Sequence, residues 1–391
     1  MIISAKQRTE NEKSAYNGDE YERKLPKKRF RRGKEEQVEH RENAFFAAAN
    51  TEEGFCSLYD DIFSPETLRH ITILKGGPGT GKSTLMRQIG IEAETRGLET
   101  EYYYCSSDTD SLDGVLIPSL GTAVIDGTAP HMTDPKFPGA VERILNLGEA
   151  FDFAALSRRR EEIISLSRHK SEAYRTAYRY LFTAGRMARE LTELSEPAFL
   201  FPKADAAIGR LVGSFRRAKK GTVKIRYLSA IGVHGERTLD TLRTRATHTC
   251  AVTDKYGLGY LFMARLRAAL TEKGIGMTVC PTPLIRSRTE SIYIEGEDLF
   301  VFVTDDETAQ TCEKIINVSR FLRRETLADH RGRLRFSEKC LRTLLDGALE
   351  SLAEAGETHA ALERIYTSAM DFSRVDAMRR GLAAEIFAKE P

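Results

Sequence analysis

The pattern of hydrophobic and polar positions changes character near residue 43. Residues 1–42 are polar and show no hydrophobic periodicity. From Phe45 onward, short apolar runs rich in β-branched residues alternate with segments whose apolar residues recur every three to four positions. The first kind of pattern predicts buried strands and the second predicts amphipathic helices. We therefore expect an ordered body that begins near residue 43, preceded by a disordered N-terminal arm.

Three predicted strands and one predicted helix open this body. The runs HITIL at 70–74, ETEYYYC at 99–105 and TAVID at 122–126 predict strands. A helix is predicted over residues 83–96, and residues 141–221 predict a mostly helical, charged extension. Strands that alternate with helices predict an α/β fold with a parallel sheet. The apolar face of the predicted helix consists of Leu85, Met86, Ile89 and Ala93.

The second half of the chain repeats this order after roughly 180 residues. HTCAV at 248–252 takes the place of HITIL, and DLFVFVTD at 298–305 takes the place of TAVID. Either two βαβ segments match by chance, or the domain is duplicated, and the conserved order of the elements favours duplication. We expect a basic arm at 1–42, a first domain at 43–220 and a degenerate second copy at 221–391. The glycines that keep their spacing are Gly257, Gly259 and Gly274, which fall on Gly79, Gly81 and Gly97.

The stretch KGGPGTGKST contains the pattern G-x-x-x-x-G-K-[ST], which is typical of a phosphate-binding P-loop. Its glycines let successive backbone N–H groups turn toward phosphates, and the following helix adds its N-terminal dipole. A strand before the motif and an amphipathic helix after it are the expected context. The sequence thus predicts a P-loop NTPase three-layer sandwich, duplicated, with a helical extension on each copy. The candidate nucleotide-binding residues are Gly76, Gly77, Pro78, Gly79, Thr80, Gly81, Lys82, Ser83 and Thr84.

The remaining chemistry of a P-loop requires a cation, a magnesium ligand and an acid. Lys82 would contact the β- and γ-phosphates, and the Ser83 hydroxyl would bind Mg²⁺. Asp126, at the end of TAVID, is the candidate acid for Mg²⁺ and, with Lys82, for catalysis. The alternative acids, which also fit a surface turn, are Asp108, Asp110 and Asp113 in CSSDTDSLDG.

Three further features bear on which nucleotide the predicted P-loop binds and how it would act. His131 either senses the γ-phosphate or is a structural hydrogen-bonding residue, and the second interpretation is favoured. No Glu directly follows Asp126, and no N/T-K-x-D element for guanine recognition is visible. Adenine is therefore the favoured base, while the hydrolytic arrangement of ATP-driven motors is not predicted.

The second copy has lost the phosphate chemistry. Tyr260 and Leu261 stand where the first copy has a lysine and a serine, and the charge of Asp254 would repel a phosphate. We expect a structural or regulatory domain. Arg286 and Arg288 follow its second strand and are either solvated loop residues or an arginine finger for the first site.

Charge is concentrated in the N-terminal arm. The chain has 59 basic and 57 acidic side chains, a net charge of +2, which is not typical of a nucleic-acid-binding protein as a whole. Residues 1–40 hold 11 basic and 8 acidic side chains, which leaves 48 and 49 for the remainder. The run RKLPKKRFRRGK at 23–34 therefore predicts either contact with nucleic acid or an anionic surface, or a solvated tail.

Composition and cysteine spacing indicate the compartment. Hydrophobic residues make up 41% of the chain and charged residues 30%, which excludes collagen-like and wholly disordered proteins. The six cysteines are scattered without a CxxC pair, so we expect reduced thiols. No signal peptide and no run of 18 apolar residues is present. We expect a cytoplasmic protein with no membrane contact.

The chain resembles a poorly characterised family of bacterial ATPases built from two tandem P-loop halves. The stretches that carry the resemblance are FFAAANTEEGFCSLYDDIF, ITILKGGPGTGKSTLMRQIG and AVIDGTAPHMTDPKFPGAVERILNLGE, and it extends from about residue 43 to the end. It implies a P-loop fold, ATP as the ligand, and Lys82, Ser83 and Asp126 at the P-loop and Walker-B-like positions. The second half commonly keeps its own P-loop in that family, and TDKYGLGYL departs from this pattern.

The leading hypothesis is a Mg²⁺-dependent ATPase with one working site in the first half. One alternative is a kinase that transfers phosphate to a nucleotide or another small acceptor. The other is a nucleotide-gated binding module that reaches nucleic acid through residues 23–34. The sequence identifies neither the acceptor or effector nor the oligomeric state.

Overall fold

The structure is a computed structural model that describes residues 43–216, 221–254 and 256–388. The predicted basic arm at 1–42, with its run at 23–34, lies outside the described residues. Within the described part, strands and helices alternate along the chain, as the sequence predicts. No helix there has the length and apolar character needed to span a membrane.

The first half of the body contains eight strands and five α-helices. It starts with a strand and a short hairpin, continues through the predicted strand–helix–strand unit, and ends in a long helix followed by a shorter one. In chain order the elements are β1 (Ala44–Phe46), β2 (Ala48–Thr51), β3 (Gly54–Ser57), α1 (Tyr59–Ile62), β4 (His70–Lys75), α2 (Lys82–Thr95), β5 (Glu101–Tyr104), β6 (Leu112–Ile117), β7 (Thr122–Asp126), β8 (Glu142–Asn146), α3 (Phe153–Arg158), α4 (Arg160–Ser195) and α5 (Phe201–Val212).

The second half runs through the same order with one additional short helix. Its long helix again comes near the end and is followed by a final amphipathic helix. The elements are β9 (Val223–Ile225), β10 (Ser229–Gly232), β11 (Gly235–Thr238), α6 (Thr241–Arg245), β12 (His248–Thr253), α7 (Gly259–Glu272), β13 (Met277–Pro281), β14 (Thr289–Ile294), β15 (Leu299–Thr304), α8 (Asp306–Ala309), β16 (Lys314–Asn317), α9 (Arg324–Asp329), α10 (Arg331–Thr367) and α11 (Phe372–Phe387).

Two six-stranded sheets have the same strand order. The first is ordered β1-β5-β6-β7-β4-β8 and the second β9-β13-β14-β15-β12-β16. Corresponding strands pair in the same register, since His70 lies opposite Thr122 in the first sheet and His248 lies opposite Leu299 in the second. The α/β class is confirmed, and the arrangement is compatible with a duplicated α/β fold.

The sheets are mostly parallel, and one strand of each departs from the predicted parallel sheet. β6 is antiparallel to both of its neighbours, and β14 is antiparallel in the same way. The reason is local: a 3₁₀ turn at Pro118–Leu120 returns the chain directly from β6 to β7, with no helix between them. A connection this short joins antiparallel strands only.

The helix that follows each long helix packs against the sheet of the other half. α4 and α10 have 36 and 37 residues and pack along each other. α4 follows the first sheet in the chain, yet the helix after it, α5, packs into the core of the second sheet. α11 in turn follows α10 and packs into the core of the first sheet. The last turns of α10 are therefore brought to the first half of the molecule.

The core of the first half explains the helix that precedes the candidate site. Leu85, Met86, Ile89 and Ala93 are all buried, as the helical periodicity predicts. Gly90 lies on the same helix, and a larger residue would not fit there, because a Cβ at this position would be 2.5 Å from the ring of Tyr102 in β5. The close approach fixes α2 against the sheet and so positions the loop at its N-terminus.

Candidate functional site

A glycine-rich loop, residues 76–81, joins β4 to α2. Gly79 and Gly81 have φ values of +66° and +87°, in the left-handed region that side chains other than glycine rarely adopt. Thr80 is buried, and its Oγ1 donates a hydrogen bond to the carbonyl oxygen of Gly77 at 2.9 Å. These turns curl the backbone around the N-terminus of a 14-residue helix, which is the geometry of an anion-binding loop.

Lys82 and Asp126 meet at this loop, as the sequence predicts. The Lys82 Nζ donates to the carbonyl oxygens of Gly77 at 2.9 Å and Gly76 at 3.3 Å. It also lies 3.6 Å from Asp126 Oδ2, and both side chains are largely buried. An ammonium group and a carboxylate therefore lie together at the carboxyl ends of β4 and β7.

Asp126 is held by its own turn. Its Oδ1 accepts hydrogen bonds from the backbone N of Thr128 at 2.8 Å and from the Thr128 hydroxyl at 2.6 Å. Burial raises the pKa of this carboxyl, although the nearby Lys82 ammonium and the Thr128 bonds lower it. A divalent cation at this carboxylate would favour the ionised form further.

The other residues of the motif lie where the loop and the first helical turn place them. The Ser83 Oγ accepts a hydrogen bond from the backbone N of Leu112 at 2.9 Å, and no hydrogen bond joins it to Asp126 within the described residues. Pro78 is half-buried, while Thr84 is exposed on the first turn of α2. The structure thus brings Lys82 and Asp126 together and leaves Ser83 beside the start of β6.

The three alternative acids separate into two groups. Asp108 shapes a turn, because its carboxylate accepts from the backbone N of Asp110 and from the Ser111 hydroxyl. These two aspartates and His234 lie close enough to share a cation, but the group is largely exposed. Asp113 lies not in the predicted loop but in β6, where it is buried.

Asp113 and His131 form a buried pair close to the loop. The His131 Nε2 lies 2.9 Å from Asp113 Oδ2, and the His131 ring stacks on Tyr59 with 4.2 Å between the ring centroids. The Tyr59 hydroxyl also donates to the backbone O of Asp113 at 2.9 Å. His131 thus contacts a buried carboxylate through Nε2, while its Nδ1 is buried without a hydrogen-bond partner among the described residues.

Residues from the second half contact the glycine-rich loop directly. The sequence did not predict this contact. The Thr367 Oγ1, at the end of α10, donates to the carbonyl oxygen of Gly79 at 3.3 Å. A Cβ at Gly79 would lie 2.8 Å from the carbonyl oxygen of Glu363, and a Cβ at Gly77 would lie 3.2 Å from the Tyr366 ring. These residues are almost 290 positions from the loop, so no local pattern could indicate the contact.

A charged group on the long helices faces the same loop. The Lys170 Nζ in α4 lies 3.4 Å from His359 Nδ1 in α10, and His359 Nε2 lies 3.6 Å from Glu363 Oε1. Burial lowers the pKa of Lys170, and burial together with the Lys170 charge lowers the pKa of His359 to about 4. Burial raises the pKa of Glu363, while Lys82 and the Gly79 amide lower it. A neutral His359 thus lies between the side chains of Lys170 and Glu363.

The corresponding loop of the second half is closed by its own aspartate. Asp254 Oδ2 accepts from the backbone N of Gly259 at 2.6 Å, and its Oδ1 accepts from that of Tyr256 at 3.0 Å. The carboxylate occupies the N-terminus of α7, as a phosphate would in an anion-binding loop. This loop is one residue shorter than the first, so the helices align Gly259, rather than Tyr260, with Lys82.

Of the two arginines after β13, Arg288 packs between α7 and α4. The Arg288 guanidinium lies 4.4 Å from the centre of the Tyr260 ring and donates to the Thr192 Oγ1 in α4 at 2.9 Å. Arg286 is exposed. Arg288 therefore joins the second half to α4, and its described contacts are not with the glycine-rich loop of the first half.

No protein-family model matches this chain, and neither a curated protein nor a solved structure shows significant similarity to it. The chemistry of the site is consequently argued from its own geometry. That geometry combines a curled glycine-rich loop, a helix N-terminus, a buried ammonium group and a buried carboxylate.

Proposed function

We propose that the first half is a P-loop NTPase domain that binds ATP with Mg²⁺ and hydrolyses it at a single site. The observation that carries this proposal is the placement of Lys82 and Asp126, 3.6 Å apart, at a loop curled by left-handed glycines. The loop amides and the dipole of α2 would hold the β- and γ-phosphates. The Lys82 ammonium would leave the loop carbonyls and bind the phosphate oxygens instead.

Each remaining residue has one task in this mechanism. The Ser83 hydroxyl and the Asp126 carboxylate would hold Mg²⁺, which would offset negative charge on the phosphates. Water attacks the γ-phosphorus, the bond to the bridging oxygen breaks, and ADP and phosphate leave. Positioning and charge stabilisation supply the catalysis, with Lys82 offsetting the negative charge of the γ-phosphate.

The second half would regulate this site through α10. The Glu363 carboxyl lies against the Gly79 amide, where it would repel an incoming phosphate. Lys170 carries the opposite charge from the facing helix. Binding of a triphosphate would therefore displace Glu363 and attract Lys170, so that nucleotide occupancy is felt along both long helices.

The test follows the γ-phosphate of labelled ATP during incubation with the full-length protein and Mg²⁺. We expect free phosphate from the wild type and none above background from Lys82→Ala. Lys136→Ala is the matched control, because Lys136 is exposed and forms an ion pair with exposed Asp60. Turnover in Lys82→Ala equal to that of the wild type would overturn the proposal.

A kinase is the second candidate. The residue after Asp126 is Gly127 rather than a glutamate that could activate water, and a polar loop with Asp108 and Asp110 lies at the same edge of the sheet. Addition of a pool of small hydroxyl-bearing metabolites to the labelled reaction separates the two functions. A labelled metabolite indicates a kinase, whereas label only in phosphate indicates an ATPase.

Two further expectations remain proposals. We infer a cytoplasmic location from the composition and the scattered cysteines, all of which are free thiols in the described residues. The nucleotide-gated module that reaches nucleic acid through residues 23–34 concerns a segment outside the described residues. It predicts salt-sensitive nucleic-acid binding that is lost on removal of residues 1–40.

A further inference from the structure

A cavity of about 230 Å³ lies in the second half, away from the glycine-rich loop. The hairpin β10–β11 forms one side, residues 282–284 after β13 form another, and Leu345 of α10 contributes a third. This is the carboxyl edge of the second sheet, where ligands bind in open α/β sheets.

The carboxyl group of Glu290 lies in the wall of this cavity. Glu290 Oε1 accepts a hydrogen bond from the Ser229 Oγ at 2.8 Å, and the Ser229 and Thr238 hydroxyls are 3.0 Å apart. Glu290 Oε2 is buried and has no hydrogen-bond partner among the described residues. Because unpaired buried polar atoms are costly, this oxygen indicates a missing donor.

In the first half, the carboxyl group equivalent to that of Glu290 belongs to Asp113 and has a side-chain partner. Asp113 and Glu290 are the extra residues of equivalent β-bulges, since each lies at a register shift between its strand and the preceding one. Asp113 pairs with His131, and the ring of Phe55 packs against that histidine with 4.7 Å between centroids. In the second hairpin the position of Phe55 is taken by Glu236. The second half thus has another acid where the first has an aromatic ring.

The titratable groups around Glu290 are mostly acidic. Burial and Glu236 raise the pKa of Glu290 to about 7, and partial burial and Asp346 of α10 raise the pKa of Glu236. The Cys280 thiol on β13 has a pKa raised to about 12 by burial and stays neutral. Arg237 also lines the cavity, but no ion pair joins it to either glutamate in the described structure.

We propose that this cavity binds a primary alkylammonium ion, whose charged end meets Glu290 Oε2 and the hydroxyls of Ser229 and Thr238. An ammonium group has three donors, which matches one free carboxyl oxygen and two hydroxyls. A divalent metal ion fits less well, because it prefers six or more oxygen ligands. The apolar wall of Ile231, Leu284 and Leu345 would cover the alkyl chain.

Titration calorimetry of the full-length protein with butylamine tests this proposal, with 1-butanol as the uncharged probe. We expect butylamine to bind about tenfold more tightly at pH 8 than at pH 6, since Glu290 is then ionised. Butanol should not bind. Glu290→Gln should weaken butylamine binding at least tenfold, and Ser229→Ala should weaken it less.

Glu272→Gln is the matched control, because this acid is exposed on α7 in the same half. It should leave binding unchanged, and so should Lys82→Ala, which makes the result independent of the ATP proposal. Equal binding by the wild type and by folded Glu290→Gln and Ser229→Ala would overturn the inference. No heat from butylamine at millimolar concentration, or equal binding of Na⁺ and butylammonium, would also overturn it.

Discussion

The two halves differ most at the loops that join their central strands to the following helices. In the first half the loop is curled by glycines and holds the Lys82 ammonium group, whereas the loop of the second half is closed by the Asp254 carboxylate. Both sheets nevertheless have the same strand order and register. The fold therefore does not depend on phosphate chemistry, because an internal anion can satisfy the helix N-terminus in place of a ligand.

The β-bulge at the carboxyl edge gives a second difference. In the first half Asp113 is satisfied by His131 and surrounded by rings, while Glu290 in the second half faces a cavity and a second acid. One half thus keeps a candidate site on its loop, and the other keeps a candidate site beneath its hairpin.

The largest expected effect comes from Gly79, which contrasts with the tolerant Gly97. In Gly79→Ala the new Cβ would lie 2.8 Å from the Glu363 carbonyl oxygen, in addition to the cost of a positive φ. We expect a loss of about 3 kcal/mol in the free energy of unfolding, measured by urea denaturation. Gly97→Ala, with φ +77° and open space around it, should cost only about 1 kcal/mol. Equal losses would contradict the contact between α10 and the loop.

Removal of the internal anion should destabilise the second half. Asp254→Ala leaves the backbone amides of Tyr256 and Gly259 without their acceptor. We expect a loss of about 2 kcal/mol in unfolding free energy and no gain of ATP binding, since the position that corresponds to Lys82 is Gly259 rather than a lysine. Asp306→Ala, in the short helix α8, is a control that should change stability by less than about 0.5 kcal/mol. A stable Asp254→Ala variant would contradict the role given to this carboxylate.

Glu290 should make stability depend on pH in a way that Glu290→Gln removes. Its pKa is about 7 in the folded chain, above its ordinary value near 4.5, so the native state holds the proton longer than the unfolded state. The wild type should therefore lose stability as the pH rises through this window, by about 2 kcal/mol. Thermal unfolding at pH 5 and pH 8 measures this loss of stability. The stability of the Gln variant relative to that of the wild type should rise only at pH 8. A constant difference at both pH values would contradict the assignment.

The smallest expected effect concerns the charges on the long helices. Glu363→Gln removes an anion beside the Gly79 amide and should tighten ATP binding about fivefold, an effect of about 1 kcal/mol. Lys170→Ala should weaken it by a similar factor. Glu357→Gln, on the exposed face of α10, is the control and should change nothing. Fluorescence titration with a labelled ATP analogue measures all three, and changes of the same sign in the first two would contradict opposite charge effects.

The sequence predicted the elements whose patterns are local. β4, β7 and α2 follow from short apolar runs and from a helical face, and the motif placed Lys82 beside the glycines. β6 was missed because Asp113 and Gly114 interrupt its apolar run. β8 was missed because it is an edge strand whose side chains are largely exposed, so no alternation marks it. Where tertiary packing rather than local pattern determines that a strand forms, the sequence of one chain gives no signal.

The contacts of Glu363, Tyr366 and Thr367 with the loop show the same limit more clearly. They depend on the exchange of α5 and α11 between the two cores, which no residue spacing encodes. The repeat predicts that each copy has a helical extension but not which core that extension enters. Half of the candidate site was therefore predictable, and the half that comes from α10 was not.

The most direct test of the account is the number of ATP sites in each chain. Calorimetric titration of full-length protein with ATP and Mg²⁺ should give one site per chain in the wild type. Lys82→Ala should weaken ATP binding by about 100-fold or more, because it removes the cation that would face the phosphates. Asp254→Ala should still bind one equivalent. Two sites per chain, or a single site unaffected by Lys82→Ala, would contradict the claim that the first half alone keeps the phosphate chemistry.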